Sequence, residues 1–163
     1  MPQKITPNLW FDTEAEEAAD FYTSVFKDSR IVNKTHYTEG APREAGMVMT
    51  VEWELNGQRF VGINGGPNFK FDEAVSFAID CEDQDEVDYY WEKLIEGGGS
   101  ESQCGWLKDK FGFSWQIVPT ALGTLMSGDP QKANRVMQAL LQMKKLDIAT
   151  LEEAAAGNVP VSR

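Results

Sequence analysis

The sequence carries one imidazole, His36, and two thiols, Cys81 and Cys104. A cysteine nucleophile needs a base beside it, and His36 is the only imidazole able to serve. His36 falls in a charged, strand-like stretch at residues 31–38 and reads as an edge or surface residue, so Cys104 reads first as a small buried thiol. Carboxylates are abundant, 26 against 15 Lys and Arg. Yet Glu14, Glu16, Glu17, Glu152 and Glu153 sit on solvated helix faces, and Glu52 and Glu54 alternate with Val51, Trp53 and Leu55 as a half-exposed strand requires. A nucleotide-like cofactor wants a glycine-rich turn between a strand and a helix N-terminus. Gly65-Gly66-Pro67 instead runs into Asn68-Phe69-Lys70-Phe71, and Gly97-Gly98-Gly99 ends a helix. What remains is aromatic: Trp10, Trp53, Trp106 and Trp115 lie on or near strands. Most belong to the core, but one or two lining a pocket would suit a flat, weakly polar organic molecule.

The elements that must hold these groups belong to a chain of ordinary single-domain size, 163 residues, with 42% apolar and 11% aromatic residues. A net charge of −11 repels nucleic acid and anionic membranes, so neither is expected as a partner. No segment approaches the roughly 18 apolar residues of a membrane span. Two cysteines make no disulfide framework, and no apolar signal-like stretch follows residues 1–7; the expectation is a cytoplasmic protein.

The chain repeats itself. Residues 8–12 form a short apolar run, and Thr13-Glu14-Ala15-Glu16 has the pattern of a capping box. Ala15, Ala18, Ala19, Tyr22, Val25 and Phe26 then recur at the spacing of one helix face. Residues 75–80 are a second apolar strand. Asp83 caps a second helix that buries Val87, Tyr90, Trp91, Leu94 and Ile95. Placing Asp12 on Asp80 aligns the halves. Strands at residues 31–38, 47–55 and 58–64, with a hairpin at Asn56-Gly57, follow the first helix; strands at 103–108 and 114–119, with a hairpin at Phe111-Gly112, follow the second. Two β-α-β-β-β modules are the economical reading. Asp129-Pro130 starts an appended helix with an apolar stripe of Ala133, Val136, Met137, Leu140 and Leu141, and a further helix begins near Asp147, burying Ile148 and Leu151.

With this duplication the chain resembles the vicinal oxygen chelate superfamily (glyoxalase I, extradiol dioxygenases, bleomycin-resistance proteins). Within it the chain resembles the PhnB-like family, often labelled 3-demethylubiquinone-9 3-methyltransferase-like. The resemblance rests on Ala18-Ala19-Asp20-Phe21-Tyr22, on Gly62-Ile63-Asn64-Gly65-Gly66-Pro67 and on the long stretch from Cys104 to Pro119. It implies an α+β fold of two paired βαβββ modules forming a curved sheet around a cavity, plus C-terminal helices. The expected organisation is one glyoxalase-like domain over residues 1–163, with modules at 1–70 and 71–122 and a helical appendage at 123–163.

The resemblance also implies where a divalent metal would be held, by His or Glu on the first and last strands of each module. Those positions map to Asn8, Val61, Ser76 and Gln116, none with an imidazole or a charge. No metal and no cofactor are therefore expected. Asn8, Ser76 and Gln116 become the polar lining of a ligand site, with Trp10 and Trp106 as aromatic walls and Cys104 beside them. The favoured function is binding of a small, partly aromatic or apolar organic molecule. The alternative is an enzyme of glyoxalase or dioxygenase type, or a quinone-related transferase, acting on a carbonyl- or quinone-like substrate. A homodimer is expected, since the appended stripe needs a partner surface.

Overall fold

Alternation along residues 8–11 sends Leu9 and Phe11 to a buried side and leaves Asn8 and Trp10 on the other, which is how a strand covered on one face behaves. In the computed structural model, which describes residues 3–158, this is β1 (Asn8–Phe11). It is followed by α1 (Ala15–Val25), β2 (Ser29–His36), β3 (Val48–Leu55) and β4 (Gln58–Asn64). The second half runs β5 (Ser76–Cys81), α2 (Gln84–Ile95), β6 (Ser100–Glu101), β7 (Trp106–Lys108) and β8 (Ser114–Pro119), then α3 (Ala121–Leu125), α4 (Pro130–Leu140) and α5 (Ile148–Ala155). Two compact units divide between Phe71 and Asp72. Each holds an open four-stranded mixed sheet of the same topology, β1-β4-β3-β2 and β5-β8-β7-β6, with the first strand parallel to the last. The fold is α+β and built from two βαβββ modules. Among the described residues no helix is long and apolar enough to cross a membrane.

The repeat register differs from the alignment of Asp12 with Asp80. Gly65 N donates to Phe11 O, and Thr120 N donates to Cys81 O in the second module, so Phe11 matches Cys81, 70 residues on. The two-residue slip keeps every side chain on its expected face because strand periodicity is two. It does change rows: Asn8 lies opposite Val61, whereas Gln116 lies opposite Ala78, and Ser76 is one row further back, opposite Ser114.

The first unit buries Ala15, Ala18, Ala19, Tyr22 and Val25 of α1 against the sheet, as the periodicity requires. Trp53 is fully buried between Tyr22 and Phe60, with ring centroids at 5.9 and 6.0 Å. Gly62 leaves room for it, since a Cβ there would stand 2.9 Å from the Trp53 ring. The Thr13 capping box does not form. The N-cap residue is Glu14, Glu16 is drawn to Lys34 at 2.7 Å, and the buried Asn64 of β4 takes over by accepting from Ala15 N at 2.8 Å. Its Nδ2 donates to Val48 O, and its carbonyl accepts from Tyr37 Oη. A helix end can be satisfied by any acceptor in reach, and here tertiary packing supplies one that local sequence does not.

In the second unit Asp83 caps α2 by accepting from Glu86 N, and Val87, Tyr90, Trp91 and Leu94 are buried; Ile95 is only half-buried. The strand expected at 103–108 breaks in two. Residues 102–105 form a turn in which Cys104 (φ 58°) and Gly105 (φ 84°) both take left-handed backbone, which no strand tolerates. This turn holds the appendage: Cys104 N donates to Met143 O, and Gly105 N donates to Lys144 O. Gln84 of α2 reaches both Leu146 O and Ile148 N. Asp129 and Asp147 cap α4 and α5 as anticipated, while the short α3 was not expected. Val136, Leu146 and Leu151 form a small buried cluster. Ile148 is half-buried, and the outer part of the α4 stripe, Met137 and Leu141, is exposed.

Candidate functional site

In the second unit α2 covers one face of the sheet with Ile79, Cys81, Leu107, Trp115 and Ile117 buried beneath it, and the alternate residues stand on the other face. Two rows of that open face carry most of the sequence-predicted residues. One row is Ala78, Gln116 and Trp106, directly opposed across β5, β8 and β7. The next is Ser76, Ser114, Lys108 and Ser100, which crosses all four strands. Gln116 Nε2 donates to Ser76 Oγ at 2.9 Å, tying the rows together. Ser76, Trp106 and Gln116 are all half-buried, so amide, hydroxyl and indole share one wettable surface. Ser114, buried, and Lys108, half-buried, lie on the same face of the sheet and carried no sequence signal of function; the register alone brings them in.

Asn8 and Trp10 stand on the open face of the other unit's sheet. Asn8 is exposed and donates to Thr6 O at 2.9 Å. The Trp10 indole lies on the turn after β4: Nε1 donates to Gly66 O at 2.9 Å, and the Phe69 ring meets it edge-on at 5.0 Å. A Cβ on Gly65 would sit inside that indole, so the glycine serves the tryptophan. This explains Gly65-Gly66-Pro67 without any phosphate. In the second glycine run, a Cβ on Gly99 would stand 2.6 Å from both Ile95 Cα and Lys108 O, a close approach of helix end to strand.

Cys104 lies in the turn between β6 and β7, its backbone engaged with the appendage. Cys81 is fully buried, and burial pushes its thiol up to about 12, with Glu86, Asp80 and Asp83 adding to the rise. Such a thiol is inert. His36 is exposed at the end of β2. Glu52 and Glu54 do face the open side of their sheet, where Arg59 and Arg30 pair with them at 2.6 and 3.0 Å.

The donor set does not suit a catalytic divalent metal. The resemblance places ligands at Asn8, Val61, Ser76 and Gln116; Asn8 does lie opposite Val61, but the sheet register sets Ala78, not Ser76, opposite Gln116. Two aliphatic side chains and two neutral amides offer neither imidazole nor compensating charge. Among the described residues no three His, Cys, Asp or Glu side chains converge. A separate cleft of about 530 Å³ opens along α4 and α5, between Gln138, Gln142, Met143 and Thr150. Arg135 in its wall is committed to Ala154 O and Ala155 O, and the cleft gathers no reactive group.

Comparison with known proteins places this arrangement. The 3-demethylubiquinone-9 3-methyltransferase family model matches residues 3–118, so α3 to α5 lie outside the match. Among solved structures, a putative 3-demethylubiquinone-9 3-methyltransferase, PhnB protein, from Bacillus cereus is 38% identical over 72% of this chain and 100% of its own, with a TM-score of 0.65. Protein PA1353 from Pseudomonas aeruginosa is 17% identical, covering 72% of this chain and 98% of its own at a TM-score of 0.59. The fosfomycin resistance protein FosX from Listeria monocytogenes is 11% identical, covering 78% and 99%, at 0.58. The last two are likenesses of fold. No curated protein sequence matches.

Proposed function

Because the chain belongs to the 3-demethylubiquinone-9 3-methyltransferase, or PhnB-like, family of the vicinal oxygen chelate superfamily, we propose that it binds a small, partly aromatic organic molecule without a catalytic metal. The site is the open face of the second module's sheet. The observation that carries this reading is the Gln116–Ser76 hydrogen bond beside Trp106, at a register position where the superfamily would place a metal-binding carboxylate. Amide and hydroxyl hold the polar edge of a ligand, and the indole covers its apolar face. A methyl transfer using a nucleotide-like donor finds no support in the glycines, which are explained by Trp10 and by the Lys108 backbone.

The test is binding of a neutral flat probe, 2-naphthamide, by calorimetry. Gln116→Ala should weaken it by about 1–2 kcal/mol, the range for one lost buried hydrogen bond, with metal content unchanged. Equal binding by the variant, or stoichiometric Zn, Mn, Fe or Ni in the purified protein, would overturn the reading.

Self-association is the second part of the proposal. Met137 and Leu141 remain exposed on α4, 38% and 50%, on a stripe otherwise turned to the appendage's own core. Light scattering at micromolar concentration should give twice the 18.2 kDa chain mass, and Leu141→Glu should restore the monomer. A monomeric parent protein would remove this part. Two free cysteines support a reducing, cytoplasmic setting.

A further inference from the structure

The row behind Gln116 has an unusual composition for a sheet on so acidic a chain. Ser76, Ser114, Lys108 and Ser100 lie side by side across the four strands, three hydroxyls and one ammonium. Ser114 is 1% exposed, and its Oγ has no hydrogen-bond partner among the described residues. Ser76 Oγ accepts from Gln116, which leaves its own hydrogen to donate. Lys108 Nζ is met at 2.5 Å by Glu73, which comes from the turn just before β5. The corresponding surface of the first module is different. There Arg59 and Arg30 are neutralised by Glu52 and Glu54, acids fixed on an adjacent strand. Lys108 has no such strand-borne acid in its row: the acid on β5, Asp80, lies two rows away opposite Val118.

We propose that this row is a carboxylate seat: the ligand's carboxylate displaces Glu73 from Lys108 and accepts hydrogen bonds from Ser114 and Ser76, while its flat apolar body lies on Trp106. The inference rests on the small-molecule reading of this face and names its ligand class, a singly charged aromatic carboxylate. Glu73 already shows that a carboxylate fits the ammonium. The pair is half-exposed, with side chains 36% and 62% accessible, and such pairs are weak and readily exchanged. The displaced Glu73, already the more exposed member of the pair, is left to water, where its charge is screened. It also gives the buried Ser114 hydroxyl an acceptor, and an ionised acceptor makes the stronger bond.

The experiment compares 2-naphthoate with 2-naphthamide by calorimetry at low salt, for the parent protein and for Lys108→Met, Glu73→Gln and Ser114→Ala. The parent should bind naphthoate at least tenfold more tightly than naphthamide. Lys108→Met should abolish that preference, Ser114→Ala should lower naphthoate affinity about fivefold, and Glu73→Gln should raise it severalfold with naphthamide unmoved. Equal binding of both probes overturns the carboxylate seat and leaves the small-molecule reading standing, as does a preference that survives Lys108→Met. Failure of both probes to bind the parent overturns both. Glu73→Gln lies in a surface turn and provides a second arm should Lys108→Met fold poorly; unchanged naphthoate affinity in it counts against the seat.

Discussion

Replacing Asp109 by alanine should destabilise the protein by about 3 kcal/mol, because three donors, two of them buried, lose a charged acceptor at once. Asp109 is 2% exposed in the turn between β7 and β8. One oxygen accepts from Phe111 N and Phe113 N, at 2.9 and 3.1 Å; the other accepts from Trp115 Nε1 at 2.9 Å. The turn and the aromatic packing above it are thus held by one side chain. Phe113 and Trp115 in turn pack with Phe77 of β5, with centroids 4.6 to 5.8 Å apart. Asp109→Asn keeps one acceptor oxygen but turns an amide N–H toward the indole N–H, so its cost falls between the parent and Asp109→Ala. Urea unfolding followed by far-UV dichroism measures both. A loss below 1 kcal/mol for the alanine variant would show that the turn holds without its carboxylate. The effect extends to the proposed binding face, since β7 and β8 carry Trp106, Lys108, Ser114 and Gln116.

Gly65→Ala costs about 2–3 kcal/mol, the range for an overpacked core. The reason is steric: Gly65 is absent from the residues with positive φ, so its backbone suits any side chain, yet a Cβ would overlap the Trp10 ring. The indole has to leave and give up its bond to Gly66 O and its contact with Phe69. A double-mutant cycle isolates this cause. In a Trp10→Ala background the same Gly65→Ala change should be close to neutral. If it costs as much there as in the parent, the glycine is needed for some other reason and the pairing with Trp10 is not what selects it.

Much of the candidate site was legible residue by residue. Alternation along residues 76–80 and 114–119 puts Ser76 and Gln116 on the face away from the helix, and the hairpin at Gly112 marks where the last strand begins. Trp10, also expected as a ligand wall, is held by its own module's turn, and Asn8 stands exposed on that module's sheet. Cys104 turned out to anchor the appendage from a left-handed turn. Ser114 and Lys108 escaped notice because a serine and a lysine on a strand are unremarkable until their neighbours across the sheet are known.

The sequence by itself determined most of the element types, the repeat of βαβββ modules and the main buried faces of α1 and α2, because these follow from periods of 2 and 3.6 residues written locally in the chain. It also determined the starts of α2, α4 and α5, since Asp83, Asp129 and Asp147 cap donors two or three residues away. Only the tertiary structure decided what depends on partners far along the chain. Asn64, 49 residues away, caps α1 in place of Thr13. The pairing of β5, β8, β7 and β6 sets Ala78 opposite Gln116 and aligns Ser76, Ser114, Lys108 and Ser100 into one row. The physical reason is the strand period itself: a slip of two residues leaves every side chain on its face and is invisible to hydrophobic patterning, yet it changes which polar groups meet across the sheet.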